Sequence, residues 1–359
     1  MAHYLIDISA HGFGHLAISA PVLNRMAQRA PQLRLTLRSA LAPQILRRRI
    51  SAPFEHINAA ADVGFIMRDA LAIDHEASFN AWRRRHAGRR QRLAADIELL
   101  RRLKIDAVCS NIACLPLAAA SAASIPAAAL CSLNWADLFE HFYAGRDGAA
   151  AIHADLAAAY RDTPFLRPTP AMAMTAPQQQ IDIGVIAARG RQRRDELRRR
   201  LGLAASARII IVSLGGIPGQ LSLAHWPQLA ATHWLAPRAW IGQRSDQHAL
   251  EDLDWPFIDL LGSADALIGK PGYGSFCEAA CNGLAVIYQR RDDWPEQDYL
   301  IAWLQKNARC AEISAADLAA GRCGELLQHC LAAKPPPTPA ADGVEQAAQY
   351  LLQLTGQGE

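Results

Sequence analysis

The sequence predicts an α/β protein made of two doubly wound halves, each around a parallel sheet. Three observations carry that prediction. Short apolar runs of strand length alternate with helix-length segments, the pattern of parallel strands joined by right-handed crossovers. The 359 residues suit two domains better than one, and 51% hydrophobic against 20% charged residues is ample material for two cores. A stretch rich in proline and glutamine near 162–180 interrupts the alternation, which then starts afresh.

The elements follow in order. HYLIDIS (3–9) reads as a buried strand, LAISAPVLNRMAQRA (16–30) as a helix, LRLTLRSA (33–40) as a strand and APQILRRRI (42–50) as a helix. FEHINAA (54–60) is a third strand, followed by a long arginine-rich helical region over 75–103. The uncharged run at 107–136 is long enough to span a bilayer. It is rich in alanine and serine, however, and Pro116 and Pro126 divide it into strand- and helix-length pieces, as in a buried βαβ unit. Its pieces are the strand DAVCSN, the helix LPLAAASAAS, the strand AAALCSLN and the helix WADLFEHFYA. The second series runs through RIIIVSLGG (208–216), RAWIGQ, ADALIGKPGYGS, LAVIYQ and ARCAEIS. KPPPTPAADG (334–343) is linker-like, and VEQAAQYLLQL (344–354) is a last helix. The domains are therefore expected at 1–170 and 180–335, with 336–359 a tail whose helix packs back on the first. They are expected to face a cleft at the carboxyl ends of their strands.

A formal net charge of +3 is too small to imply a polyanionic partner. Two segments are strongly basic, WRRRHAGRRQR (82–92) and RGRQRRDELRRR (189–200). The second is interleaved with Asp195 and Glu196, as on a solvated helix. The first fits a solvated face or a peripheral contact with an anionic membrane. Neither carries the stacking residues of a nucleic-acid site, so no nucleic acid is expected. The eight cysteines form no CxxC and no zinc-finger spacing with histidine, so reduced, mostly buried thiols are expected, and no metal. MAHYLIDISAHG has neither the basic nor the long apolar region of a secretory leader, and a cytoplasmic location is expected.

Two glycine-bearing turns carry the chemistry. HGFGH leaves the first strand through Gly12 and Gly14, flanked by His11 and His15. Such a turn permits close approach of a ligand and leads into a helix N-terminus, and it serves equally as a tight bend. A histidine there can accept a hydroxyl proton near neutral pH. In the second half, Gly215, Gly216 and Gly219 follow one strand, and Lys270, Gly272, Tyr273, Gly274 and Ser275 follow another. Ser275 and Glu278 match a capping box, Ser275 being the N-cap. The same residues can bind a nucleotide: the N–H groups of 274–276 and the Ser275 hydroxyl would hold a diphosphate, and Glu278 the ribose hydroxyls.

The spacing Gly272-x-x-Ser275-x-x-Glu278 resembles the nucleotide-binding motif of GT-B glycosyltransferases. HGFGH, the 106–142 stretch, IGVIAARGRQRRDELRRRLGL and ALIGKPGYGSFCEAACNGLAVIYQRRDDWPEQDYL occur in the order found in the glycosyltransferase-like N-terminal part of L-arabinokinase-type proteins and their stand-alone bacterial relatives. No sugar-kinase half accompanies them here, so kinase activity is not carried over. The resemblance implies a GT-B fold with two Rossmann-like domains and a nucleotide-sugar substrate, UDP-linked by preference, with no permanently bound cofactor. By analogy with the MurG and plant glucosyltransferase types, His15 would be the base, with His11 the alternative. Glu296 and Gln297 would bind donor sugar hydroxyls, or else begin a surface helix. Lys270 or Arg291 would help the leaving diphosphate, with Arg291 counted beside Asn111 and Asn134 in the sugar and acceptor set. The strand ending at Asn111 often ends in aspartate in such enzymes, and Asp137 is a candidate substitute. The expected reaction is inverting, metal-independent transfer to an unknown hydroxyl. A non-catalytic nucleotide-sugar-binding protein or a nucleotide-sugar hydrolase is the alternative.

Overall fold

The computed structural model describes residues 1–215 and 221–356, so the expectations for Gly216 and Gly219 lie outside the described residues. The chain divides into two compact units. The first holds 1–66, 73–186 and the tail from 341, and the second holds 67–72 and 187–340.

The first unit contains β1 (His3–Ile8), α1 (Gly14–Arg29), β2 (Arg34–Arg38), α2 (Pro43–Arg49), β3 (Glu55–Ile57), α3 (His75–Ala87) and α4 (Arg89–Leu103). It continues with β4 (Ala107–Asn111), α5 (Cys114–Ala122), β5 (Ala127–Leu130), α6 (Trp135–Tyr143), α7 (Ala149–Arg161), β6 (Phe165–Thr169) and β7 (Gln180–Val185). Among the described residues its sheet has seven parallel strands in the order β3-β2-β1-β4-β5-β6-β7. β1 is buried along all six residues, as a central strand covered on both faces must be.

The second unit contains α8 (Arg194–Arg200), β8 (Arg208–Val212), β9 (Thr232–Ala236), β10 (Gln247–Ala249), α9 (Phe257–Ser263), β11 (Ala266–Gly269) and α10 (Tyr273–Cys281). β12 (Ala285–Tyr288), α11 (Gln297–Asn307), β13 (Cys310–Glu312), α12 (Ala315–Ala319) and α13 (Gly324–Ala332) complete it. Its described strands are parallel in the order β10-β9-β8-β11-β12-β13. Ala70 is buried in its core beside Ile210, Trp234 and Ile268.

The last helix, α14 (Gly343–Gln353), belongs to the first unit and packs on α1 and β7. Tyr4 of β1 donates its hydroxyl to the Leu351 carbonyl at 2.8 Å, and Arg25 and Arg29 of α1 both pair with Glu345. A side chain at Gly343 would meet the Gly184 carbonyl at 2.0 Å, so glycine sets the closeness of this contact.

Three expectations are corrected. The proline- and glutamine-rich stretch at 162–180 is not a bare connection: β6 lies inside it and β7 starts at its end, and the division between units falls at Ile186 and Ala187. RAWIGQ is not a strand, because Pro237 ends β9 at Ala236 and residues 238–240 form a 3₁₀ turn. Ser275 is not the N-cap of α10: Gly272 is, and Ser275 sits in the first turn.

Candidate functional site

Both sheets change winding direction once, and open α/β sheets bind ligands at that point. In the first sheet the switch lies between β1 and β4, and in the second between β8 and β11.

At the first switch, the turn after β1 meets the end of β4, where the Ser9 N–H donates to the Asn111 carbonyl at 2.7 Å. Gly12 sits at φ 80, in the left-handed region that glycine adopts without strain. The turn delivers His15 into the first turn of α1, where it is 5% exposed. His15 Nδ1 is 2.8 Å from Asn111 Oδ1, while Asn111 Nδ2 donates to the His15 carbonyl and to Ser19 Oγ. Those two donor bonds fix the amide's orientation, so Oδ1 accepts from an Nδ1–H, and Nε2 is the basic nitrogen. Trp135 packs 5.6 Å, centroid to centroid, from both His15 and His11. His11 Nδ1 accepts from the Phe65 N–H at 3.3 Å, which commits the nitrogen a base would need. Of the two histidines, His15 is thus the one with an oriented, basic Nε2.

The second switch gathers cations. Gly215, at φ 86 just past β8, passes Lys270, whose Cε would lie 3.9 Å from a Cβ there. Lys270 follows β11 directly and has no ion pair among the described residues. Burial and the neighbouring Arg291 push its ammonium down to about 7. Arg291 is 6% exposed, and burial lowers its guanidinium to about 10. It stacks on Trp294 at 3.9 Å, its Nη2 lies 3.9 Å from the Met67 sulfur, and its Nε is buried with no hydrogen-bond partner. α10 begins at the same place. Its first intrahelical bond runs from the Phe276 N–H to the Gly272 carbonyl, so the N–H groups of Tyr273, Gly274 and Ser275 precede the ladder. A Cβ at Gly272 would meet nothing within 4 Å, which leaves space over this helix end. Lys270, Arg291 and the first turn of α10 thus follow neighbouring strand ends, with the Glu296 carboxylate close enough to act on both cations.

The remaining predicted residues divide clearly. Glu278 is 4% exposed, one turn into α10. Glu296 and Gln297 do begin a helix, as N-cap and first residue of α11, but both are themselves buried. Gln297 grips the Arg291 backbone through both ends of its amide, and Glu296 accepts from the Trp294 indole at 3.1 Å. They shape the turn that presents Arg291. Asp137 does not orient His15: its oxygens accept from Thr175, Ala176 and Asn134. Asn134 is buried and caps α6 through the Asp137 N–H, a structural role. Gly14 opens α1 with free space where a Cβ would stand. Sequence reasoning missed Trp135 and Phe65 as the aromatic wall of the histidine site. Trp135 was visible as an aromatic directly after Asn134, the N-cap of α6, whereas nothing local marks Phe65.

The arginine run at 82–92 is split by its fold. Arg85 donates to the Ala61 carbonyl, Arg92 to the Arg85 carbonyl at 2.7 Å, and Arg89 pairs with Asp155, while Arg83, Arg84 and Arg90 are exposed. None of the eight cysteines is in a disulfide. No group of three metal-ligating side chains and no helix long and apolar enough to cross a membrane occurs among the described residues.

No protein-family model matches the chain. It is 26% identical over 370 residues to L-arabinokinase of Arabidopsis thaliana, an alignment that covers 98% of this chain and 34% of that protein. The chain thus spans about a third of the length of that curated relative. Among solved structures it resembles the spinosyn forosaminyltransferase, with a TM-score of 0.60, 14% identity, and 100% of this chain and 96% of that one covered. It resembles a UDP-glucosyltransferase from Polygonum tinctorium with a TM-score of 0.58, 15% identity, and 99% and 93% covered. The glycosyltransferase VinC, solved in complex with dTDP, gives 0.55 at 16% identity, with 99% and 95% covered. On a likeness that runs through both sheets from end to end, the chain has the GT-B fold of the glycosyltransferases.

Proposed function

We propose that this protein is a glycosyltransferase that moves a sugar from a nucleoside-diphosphate donor, UDP-linked by preference, to a hydroxyl of a small-molecule acceptor. The observation that carries the reading is the meeting of Lys270, Arg291 and the α10 N-terminus at the switch point of the second sheet. A leaving diphosphate gains negative charge as the glycosidic bond breaks, and fixed cations and backbone N–H groups stabilise that charge without reorganising. Those groups would serve in the role a divalent metal fills elsewhere. The first sheet supplies the base. The acceptor oxygen attacks the anomeric carbon and its proton passes to His15 Nε2. The bond to the diphosphate breaks in the same step, so the anomeric configuration inverts.

Support for a nucleotide donor also comes from the neighbours, one named a UDP-glucosyltransferase and one solved with dTDP. Asn111 favours a second reading. An amide orients His15 but lends it no negative charge, so its imidazolium is less stabilised than beside a carboxylate. A nucleotide-sugar-binding protein without transfer activity, or a hydrolase with water as acceptor, would keep the second-sheet site unchanged. Arg83, Arg84 and Arg90 are the groups that would meet an anionic membrane surface.

Calorimetric titration with UDP, dTDP, GDP and ADP tests the reading, with and without magnesium. Saturable binding of one nucleotide, weakened in Arg291→Ala and untouched in His15→Ala, is expected. Donor turnover with an acceptor library, abolished in His15→Ala, then separates transfer from mere binding. No binding of any nucleotide removes the proposal.

A further inference from the structure

The proposed transfer uses the carboxyl ends of the second sheet and leaves its amino ends idle. A groove of about 410 Å³, open to solvent, crosses those amino ends, at the starts of β8, β11, β12 and β13. The first residue of α8 and the last turn of α13 also line it. At about 3.3 Å per strand residue, Lys270 lies about 16 Å beyond Asp265 along β11, so the groove and the proposed nucleotide site occupy opposite ends of the sheet.

The charges in the groove do not balance. Arg194, Arg208 and Arg309 line it, against the single carboxylate of Asp265. That carboxylate is committed: Oδ2 accepts from the Ile209 N–H at 2.8 Å, and Oδ1 pairs with Arg194 at 3.1 Å. Arg309 donates to the Leu331 and Gly283 carbonyls and meets no carboxylate among the described residues. Arg208, the first residue of β8, is exposed, and its guanidinium has no hydrogen bond or ion pair among the described residues. Two positive charges therefore remain. The Gly283 bond carries the Arg309 guanidinium from β13 to the start of β12, two strands from Arg208. Two strand spacings are about 10 Å, a gap that the Arg208 side chain and a phosphoryl group span together. A phosphate monoester carries about −1.5 to −2 at pH 7, which matches the excess, and the planar guanidinium fork pairs with two of its oxygens. Leu331 and Gln328 add an apolar contact and an amide for the rest of such a molecule.

We propose that this groove binds a small soluble phosphate monoester, its phosphoryl dianion held by Arg208 and Arg309 above the Arg194–Asp265 pair and its carbon part against Leu331 and Gln328. The site does not depend on the proposed transfer activity. Glycerol 3-phosphate is the probe, titrated into the 359-residue chain by calorimetry at pH 7. Saturable binding is expected, at least tenfold weaker in Arg208→Gln and in Arg309→Gln. Asp265→Asn keeps an acceptor for the Ile209 N–H and removes the one negative charge, so it should bind at least threefold more tightly. A variant that merely misfolds would not gain affinity, which keeps the test open should an arginine variant be unstable. Lys270→Met should leave the affinity unchanged. Full affinity in both arginine variants, a loss in Asp265→Asn, or a tenfold loss in Lys270→Met would overturn the proposal, the last by placing the probe at the nucleotide site. Inorganic phosphate binding as tightly as the ester would overturn it too. So would the absence of binding, including the case where only vesicles containing phosphatidic acid bind.

Discussion

Replacing Lys270 by methionine probes the second-sheet site most directly, because the consequence can be worked out in advance. The ammonium titrates near 7 in the free protein, held there by burial and by Arg291. A phosphate charge about 4 Å away would stabilise the protonated form by about 4 kcal/mol at an effective dielectric of about 20. That is about 3 pH units, which places the ligand-bound Lys270 near 10. Between pH 7 and 9 the free amine loses its proton while the bound amine keeps it, so each binding event takes up a proton. Affinity for a nucleoside diphosphate should then fall about 50-fold, or about 2.3 kcal/mol, over those two units. The nucleotide adds no slope there, since a terminal phosphate with a second pKa of about 6 is ionised throughout. The assay is calorimetry at pH 7, 8 and 9 in buffers of different ionisation enthalpy, which count the protons taken up. Lys270→Met should bind weakly with no pH slope. It should also be more stable than the native chain by a margin that widens as pH falls from 10 to 7. The unfolded amine takes up its proton below about 10.5 and the folded one only below about 7, so the penalty on the native chain grows between those values and levels off below 7. A native affinity constant within threefold from pH 7 to 9, or the same slope in Lys270→Met, would refute the assignment.

Three further outcomes follow from the first unit. Asn111→Asp places a carboxylate on His15 Nδ1 and should raise the imidazole's titration by about 1–2 units, followed by NMR of the His15 ring; no movement would mean that the Nδ1 contact does not set its basicity. Arg38→Gln removes the bidentate partner of Asp7, which is 1% exposed and already pushed up to about 6 by burial. Denaturation at pH 7 should show a loss of about 3–5 kcal/mol, partly regained as pH falls toward 4, because the folded state then holds the neutral acid. Tyr4→Phe leaves the Leu351 carbonyl without its buried donor and should cost about 1–3 kcal/mol in the same assay, while a loss below about 0.5 kcal/mol would show α14 to be held by apolar packing alone.

The strand-and-helix order was legible because parallel strands covered on both faces must be continuously apolar. HYLIDI and ALIG therefore stand out from their surroundings, while AVCSN lies in the uncharged run at 107–136 and is set off by Pro116 and Pro126. Legibility failed where that signal is diluted. β6 reads FLRPT, with an arginine and a proline in five residues, because it lies toward the edge of its sheet, and the stretch around it looks like a linker. The short strand β10, QHA, has no apolar run at all and is specified by pairing with β9. The turns that carry the site were readable from glycine, but the partners of their side chains were not. Asn111 lies 96 positions from His15 in sequence, and only the pairing of β1 with β4 brings them together. Asp137, chosen for its charge and its place after a strand, is consumed by a loop 38 residues further on. Local chemistry thus names which residues can act, while the order of strands in the sheet decides which of them meet. The acidic residue best placed by sequence became a brace, and a neutral amide took the position beside the base. That is why the Asn111→Asp titration reports on the fold and on the proposed base at once: the strand order alone places the new carboxylate against His15, and the response of the imidazole shows what that placement does.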